Sequence, residues 1–287
     1  MDPCYRIERI NKTPTPLLPY VTRAYILTMA TSKRLNQERL DKLSKLCRHT
    51  YVQKNFAGTP ECVKPECVRE HTGRDLCHAV ANVCKHAMTT RRPILILEDD
   101  AVFKKNDGSF AQVDAFLRTK DYDAYSLGSL GPCLLGPLLH PRLLFVGFAQ
   151  AIIYSPSARQ AFLKAEIATM HHIDMHFLSK LHRVHTYWKP LVMQTFPPTA
   201  NMCNWCLFCN GSRLEKVGVR LWTRLLRCVG LHKNVLPGWH MIYAINYILV
   251  PIVVWSAAVG LKQLVTFRKG GRSVDCIEIK NAYRSEG

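Results

Sequence analysis

Acidic residues are scarce in this chain: 21 Asp and Glu stand against 39 Lys and Arg over 287 residues, a formal charge of +18. Such a deficit argues against cationic partners and favours polyanions (nucleic acid, anionic lipid headgroups, phosphorylated substrates) or a simply solvated basic surface. A helix-turn-helix, paired zinc fingers and an RNA-binding aromatic signature are all missing, and the basic residues are spread along the chain, so no nucleic acid is expected as partner. Internal repeats and long low-complexity tracts are missing too, which excludes a repeat architecture. The first residues lack the order of charged region, apolar region and small-residue cleavage site that marks a signal peptide. With Pro3, Pro14, Pro16 and Pro19, residues 1–21 read as an irregular arm. Cysteine is not scarce, at twelve, but a second CxxC pair is. Cys203, Cys206 and Cys209 form a CxxCxxC run that needs Cys228 or a histidine as fourth zinc ligand, and Cys62 and Cys67 bracket a loop. Zinc, disulfides and plain thiols all stay open.

What is present is ordinary globular composition, 48% apolar and 21% charged, enough for a buried core. Residues 24–29 form an apolar run suited to a buried strand. Leu35, Leu40, Leu43 and Leu46 recur at helical intervals within 32–47, and 50–53 can be a second strand. Residues 57–73, with Gly58, Pro60, Pro65 and Gly73, read as a loop. A helix over 74–88 carries Leu76, Val80, Val83 and Ala87 on one side. Ile94-Leu95-Ile96-Leu97 suits a strand covered on both faces. Further strands are expected at 124–127 and 145–154, with a Gly- and Pro-rich loop at 128–142. Pro156 sits at the first turn of a helix running to 165, and another helix is expected over 173–181. Alternating strands and helices predict an α/β domain over 22–198 with a mainly parallel sheet flanked by helices.

Beyond 198 the character changes. Residues 199–238 hold the cysteine run and a basic amphipathic helix over 215–231. Residues 239–262 include about twenty uncharged positions, close to the length that crosses a bilayer core, and 263–287 form a basic tail. Pro251 and Asn246 keep a buried core helix open as the alternative, although membrane helices tolerate proline better than soluble ones do. Membrane association through this C-terminal anchor is the expectation, with basic residues at both ends leaving its orientation open.

The sharpest constellation is Ile94-Leu-Ile-Leu-Glu98-Asp99-Asp100. Three acids following four apolar residues are costly inside a core. At the carboxyl end of a strand they lie where ligands bind in open α/β sheets. Along extended backbone Glu98 and Asp100 face one way and Asp99 the other. Two oxygen donors can then converge on one divalent cation, with diphosphate oxygens completing its shell. A solvated acidic turn is the bland alternative.

Around this string the chain resembles glycosyltransferase family 25, the group that includes lipopolysaccharide and collagen sugar transferases. The resemblance runs from about Arg23 to Thr195. It takes in the strand Ala24-Tyr-Ile-Leu-Thr-Met29, the segment with Arg34, Gly73, and Cys77-His78 where the family shows Ser-His. Leu97-Glu98-Asp99-Asp100 with Ala101-Val102-Phe103 follows, then Asp123 to Gly128, Gly147 to Ala158, His172-Ile173-Asp174 and Pro190 to Gln194. The chain departs from the family at Thr28-Met29-Ala30, where Asn-Leu-Asp is usual, at Arg74, where a cysteine is usual, and at Cys77.

The resemblance implies a GT-A-like, inverting transfer from a nucleotide-diphosphosugar donor to a glycan, lipid or protein acceptor, with a divalent metal, manganese first. It gives Asp174 the role of base toward the acceptor hydroxyl, although an Asp there can equally cap a helix. Asp100 and Glu98 are the expected metal ligands, and Glu98, Asp99, His78 and Arg34 the expected donor contacts. His78 can equally be structural. His171, His172 and His176 crowd one segment at spacings that permit metal binding or simple solvent exposure. Two rivals stand beside this reading: an inactive relative that keeps the fold as a binding or scaffold module, and a basic nucleic-acid-binding protein.

Overall fold

In the computed structural model of the chain, residues 3–56, 60, 62, 64, 72–103, 108–128, 139–143, 146, 147, 149–194, 224 and 228 are described. The chain divides into two units, Met1–Asn246 and Tyr247–Gly287, and every described residue belongs to the first. The cysteine run at 203–209 and the apolar segment 239–262 lie outside the described residues. So does the amphipathic helix over 215–231, apart from Arg224 and Cys228, which are helical and exposed. Among the described residues no helix is long and apolar enough to cross a membrane.

The strands are β1 (Tyr5–Lys12), β2 (Arg23–Met29), β3 (His49–Asn55), β4 (Ile94–Glu98), β5 (Ala101–Phe103), β6 (Ala124–Ser126), β7 (Ala151–Tyr154), β8 (Val184–Thr186) and β9 (Val192–Gln194). The α-helices are α1 (Gln37–Leu43), α2 (Thr72–His86), α3 (Ser109–Thr119), α4 (Pro156–Lys164) and α5 (Ile173–His176). Seven strands make one sheet in the order β1-β3-β2-β4-β7-β6-β8, and β5 pairs with β9 apart from it. The sheet is mixed rather than mainly parallel. β2 runs parallel to β3 and β4, and β6 to β8. β1 is antiparallel to β3, and β7 is antiparallel to both β4 and β6. The physical reason lies in the connections. β2 to β3 and β3 to β4 cross over through α1 and α2, which lets β3 and β4 flank β2 in parallel, whereas β7 enters between β4 and β6 running the other way.

The arm expected at 1–21 contains a strand. Tyr5–Lys12 pairs with Asn55–His49 across the sheet edge, and its mostly half-exposed or exposed pattern is that of an edge strand with one covered neighbour. The prolines at 14, 16 and 19 fall after it, where no ladder donor is needed. Cys4, just before β1 and not singled out in the sequence, is disulfide-bonded to Cys62. Cys47, Cys77 and Cys84 are buried thiols and Cys228 an exposed one.

The central strands show why the apolar runs are continuous. Ala24, Ile26, Leu95 and Leu97 enter one core with Leu43 of α1 and Phe110, Val113 and Leu117 of α3. Their alternates Tyr25, Leu27, Ile94 and Ile96 enter a second core with Val80, Val83 and Cys84 of α2, Phe162 of α4 and Ile173 of α5. Each face of the sheet thus buries every second side chain under helices, giving three layers. Helix bounds follow local chemistry. Asn36 caps α1 by accepting from the Arg39 amide at 2.9 Å, so 32–36 is loop rather than the first turn expected from the leucine spacing. Ser155 caps α4 from the Ala158 amide at 3.1 Å, with Pro156 at its start. The helix expected over 173–181 breaks into α5 and a 3-10 turn over Leu178–Lys180.

Candidate functional site

β2 sits between β3 and β4 in the sheet, and the chain crosses over to each of them in turn. The carboxyl ends of β2 and β4 therefore flank a point where strand order reverses, the place where open α/β sheets form a ligand crevice. Glu98 is the last residue of β4 and pairs with Leu27 of β2. Asp99 and Asp100 follow in the turn and are buried, at 7% and 1% exposure.

The acids part at this turn. Asp99 is held toward α1 and the 30–36 segment. There its Oδ2 accepts from Thr28 Oγ1 at 2.8 Å and Ser32 Oγ at 2.7 Å. Arg34 Nη1 stands 3.8 Å from its Oδ1, and Arg39 donates to its backbone carbonyl at 2.8 Å. Arg39 also donates to the Arg34 carbonyl, and Ser32 Oγ accepts from the Arg34 amide. The 30–36 segment is thus folded around one carboxylate.

Glu98 faces the α2 and α5 side, where the surroundings differ. Burial, then the charges of Asp100, Asp99 and Asp174, push its carboxyl up from the usual 4.5 to about 8, with Arg34 offsetting part of the effect. Like charges crowded in a medium poorer than water cannot all stay ionised together. Asp174 lies in the same field from 76 positions later in the chain, and its charge also helps raise Cys77, pushed up to about 12 chiefly by burial. Tyr154 is raised mainly by burial and further by Cys84, Cys77, Asp174 and Glu98. Asp174 is the second residue of α5, not its cap: the capping position is His172, which makes no side-chain cap bond. Its Oδ1 accepts from the adjacent Met175 amide at 2.9 Å.

The remaining expected residues separate. Arg34 joins the acids. His78 turns the other way along α2, where Tyr5 Oη lies 2.9 Å from its Nδ1 with the two rings stacked. This contact ties α2 to β1 beside the Cys4–Cys62 disulfide and Ala79. Ser32, Arg39 and Gln150 were not singled out in the sequence. Gln150 is fully buried; its carbonyl accepts from the Glu98 amide at 3.0 Å and its side chain donates to the Gly128 carbonyl at 2.5 Å. A Cβ on Gly128 would meet the Val192 carbonyl oxygen at 1.8 Å, so the glycine that follows β6 is a requirement of packing against β9. Thr28 was legible only as a departure from a motif; its hydroxyl proves to be a partner of Asp99. No group of three or more His, Cys, Asp or Glu among the described residues is arranged to hold a metal ion. The two best-formed concavities are a hollow beside α1 and β5, lined by Asn36, Arg39, Lys42 and Ala101 among others, and a second at Pro16, Leu17 and α3. Neither is lined by the acids themselves.

No family model and no curated protein matches the chain. Among solved structures, the crystal structure of A197 from STIV is similar over 60% of this chain and 83% of its own, at 14% identity and a TM-score of 0.34. A glycosyltransferase involved in the glycosylation of the major capsid of PBCV-1 is similar over 70% of this chain and 98% of its own, at 8% identity and a TM-score of 0.37. Both likenesses are loose.

Proposed function

We propose that the chain is a glycosyltransferase that moves a sugar from a nucleotide-diphosphosugar to an acceptor hydroxyl. The observation that carries this reading is the crowding of Glu98 with Asp100, Asp99 and Asp174 at the carboxyl end of β4. A cluster of carboxylates held against its own repulsion is stabilised most by a cation. Among the described residues no group of three or more His, Cys, Asp or Glu could hold a metal ion, so an ion bound here would have to take most of its ligands from a diphosphate. Asp100 and Glu98 would hold that ion, manganese first, and bound there it would offset charge developing on the departing nucleotide diphosphate.

The chain's own residues do the rest. Arg34 lies beside Asp99 and within the field of Glu98, where it can meet a phosphate. Asp174 takes the proton from the acceptor hydroxyl as that oxygen bonds the sugar's anomeric carbon. The bond to the diphosphate breaks with its electron pair leaving on the nucleotide, and the sugar inverts. Membrane association through 239–262 remains part of this proposal.

The test is a screen of nucleotide-sugars for manganese-dependent hydrolysis and transfer by the full chain. Asp100→Ala should lose turnover by about 100-fold or more while keeping its fold. Asp174→Asn should keep near-normal donor affinity and lose transfer by roughly 100-fold. Undiminished turnover in Asp100→Ala would discard the metal assignment, and equal loss of affinity and transfer in Asp174→Asn would make that residue structural. A binding-only relative is the second reading, favoured by the engagement of Asp99 with Thr28, where the resembled family carries a different motif. Nucleotide-induced stabilisation without turnover would select it.

A further inference from the structure

We infer that the amino-terminal edge of β2, β3 and β4 is a surface that rests on an anionic bilayer, with Arg9, Lys12, Arg23, Arg48, Arg91 and Arg92 against the lipid headgroups. The sheet register brings these cations together. Lys12 of β1 and Arg23 of β2 both pair with His49, the first residue of β3, and Arg23 also pairs with Ile94, the first of β4. Arg48 precedes β3, and its carbonyl accepts from the Thr13 amide at 2.8 Å. Arg91 and Arg92 precede β4, and Arg23 donates to Thr89 Oγ1, in the segment leading to them, at 3.1 Å. Arg9 donates to His49 Nδ1 at 3.0 Å, so that imidazole is neutral and orients Arg9 rather than adding a charge. Arg23 is half-buried and the other five are exposed. Among the described residues none of the six is in an ion pair, although Arg6, Lys42, Lys54 and Arg118 are.

Two apolar side chains stand exposed among these cations. Ile10, 41% exposed, falls at the register shift between Arg9 and Asn11, and Met88, 47% exposed, precedes Thr89. A bilayer takes both kinds of group: its phosphates draw the cations, and its acyl boundary accepts the apolar side chains. A nucleic-acid backbone would leave the apolar pair in water. A single strand would also want bare aromatic rings on which bases stack. Here Tyr20 lies under Arg92 at 5.0 Å and Arg118 at 5.5 Å, and Tyr51 is stacked on Tyr25 at 5.0 Å with Arg23 6.0 Å from its ring. The acids stand at the other end of β4, roughly 13 Å along the strand at about 3.3 Å per residue. A domain resting on the basic edge therefore turns Glu98, Asp99 and Asp100 away from the bilayer. The surface does not depend on what that site does.

The experiment sediments the full chain with vesicles of phosphatidylcholine alone and of phosphatidylcholine mixed with phosphatidylserine. The reading is the ratio of the two affinities, to which an apolar anchor contributes alike. A triple variant, Lys12→Gln with Arg48→Gln and Arg91→Gln, should lower that ratio about 100-fold. A second triple variant of equal net charge, Arg6→Gln with Lys164→Gln and Lys180→Gln, should lower it much less. Met88→Ser should weaken binding to the mixed vesicles. Both triple variants should unfold at the parent's temperature and match it in manganese-dependent binding of a nucleoside diphosphate, including where that binding is nil, so failure here and failure of the glycosyltransferase reading are distinct. Should the first triple variant unfold early, its three single substitutions carry the reading, at about fivefold each. An unchanged ratio, or equal losses in the two triple variants, would overturn the surface. Mixed-sequence duplex DNA bound more tightly than vesicles, and lost in the first triple variant, would give the edge to nucleic acid and overturn the lipid assignment.

Discussion

Asp99 and Glu98 are neighbours in the chain and opposites in surroundings. On the α1 face, Asp99 receives two hydroxyl hydrogen bonds and an arginine at 3.8 Å. On the α2 face, burial and the charges of Asp100, Asp99 and Asp174 drive the Glu98 carboxyl to about 8. A carboxylate whose partners are supplied locally holds loop to strand. One set among like charges keeps its proton to higher pH. Adjacent positions of the chain thus hold one acid bonded into a loop and one raised by its neighbours.

Breaking the satisfied side should have the largest effect on stability. Asp99→Ala strands two hydroxyls and frees the 30–36 segment, and denaturant unfolding should show a loss of about 3 kcal/mol. A loss below about 1 kcal/mol would mean that Asp99 is not the anchor of that loop. On the crowded side the sign reverses. In the unfolded chain Glu98 releases its proton near 4.5, and in the folded chain it holds it to about 8. Its contribution is therefore fully present below pH 4.5 and is lost as pH rises toward 8. Glu98→Gln escapes that loss. Unfolding at pH 4, 6.5 and 8.5 should find the variant level with the parent at the first and more stable by roughly 2 kcal/mol at the last. An advantage that does not grow with pH would remove the crowding argument. Manganese should stabilise the parent increasingly over the same range, and the variant much less.

The smallest effect belongs away from both. Tyr5→Phe removes the hydroxyl that meets His78 and should cost about 1 kcal/mol of stability, with donor affinity unchanged when measured by calorimetry. A clear drop in that affinity would return His78 to the donor site.

Much of the fold follows from local pattern. β2 and β4 are runs apolar enough to be buried on both faces, and α2 and α4 announce themselves by helical spacing and by Pro156. β1 was hidden because an edge strand buries few side chains: Arg6, Arg9 and Ile10 are exposed, so neither an apolar run nor clean alternation marks it. The broken end of α5 was hidden because the leucine and histidine spacing of 173–181 suits either one helix or two short turns. At the site, a greasy strand running into three acids was visible because only a strand end can hold them. That Thr28 and Ser32 would serve Asp99 was not, since a hydroxyl shows no partner until the loop closes.

The residue order alone determined that an acid cluster emerges from a buried strand of an α/β domain, because burial and periodicity are local properties of consecutive side chains. Only the tertiary structure decided which acid is satisfied and which is crowded, since Asp174 reaches Glu98 across 76 positions of chain and Arg74 meets His171 across 97. Those meetings depend on how helices pack over a mixed sheet, and no short stretch of sequence carries that information.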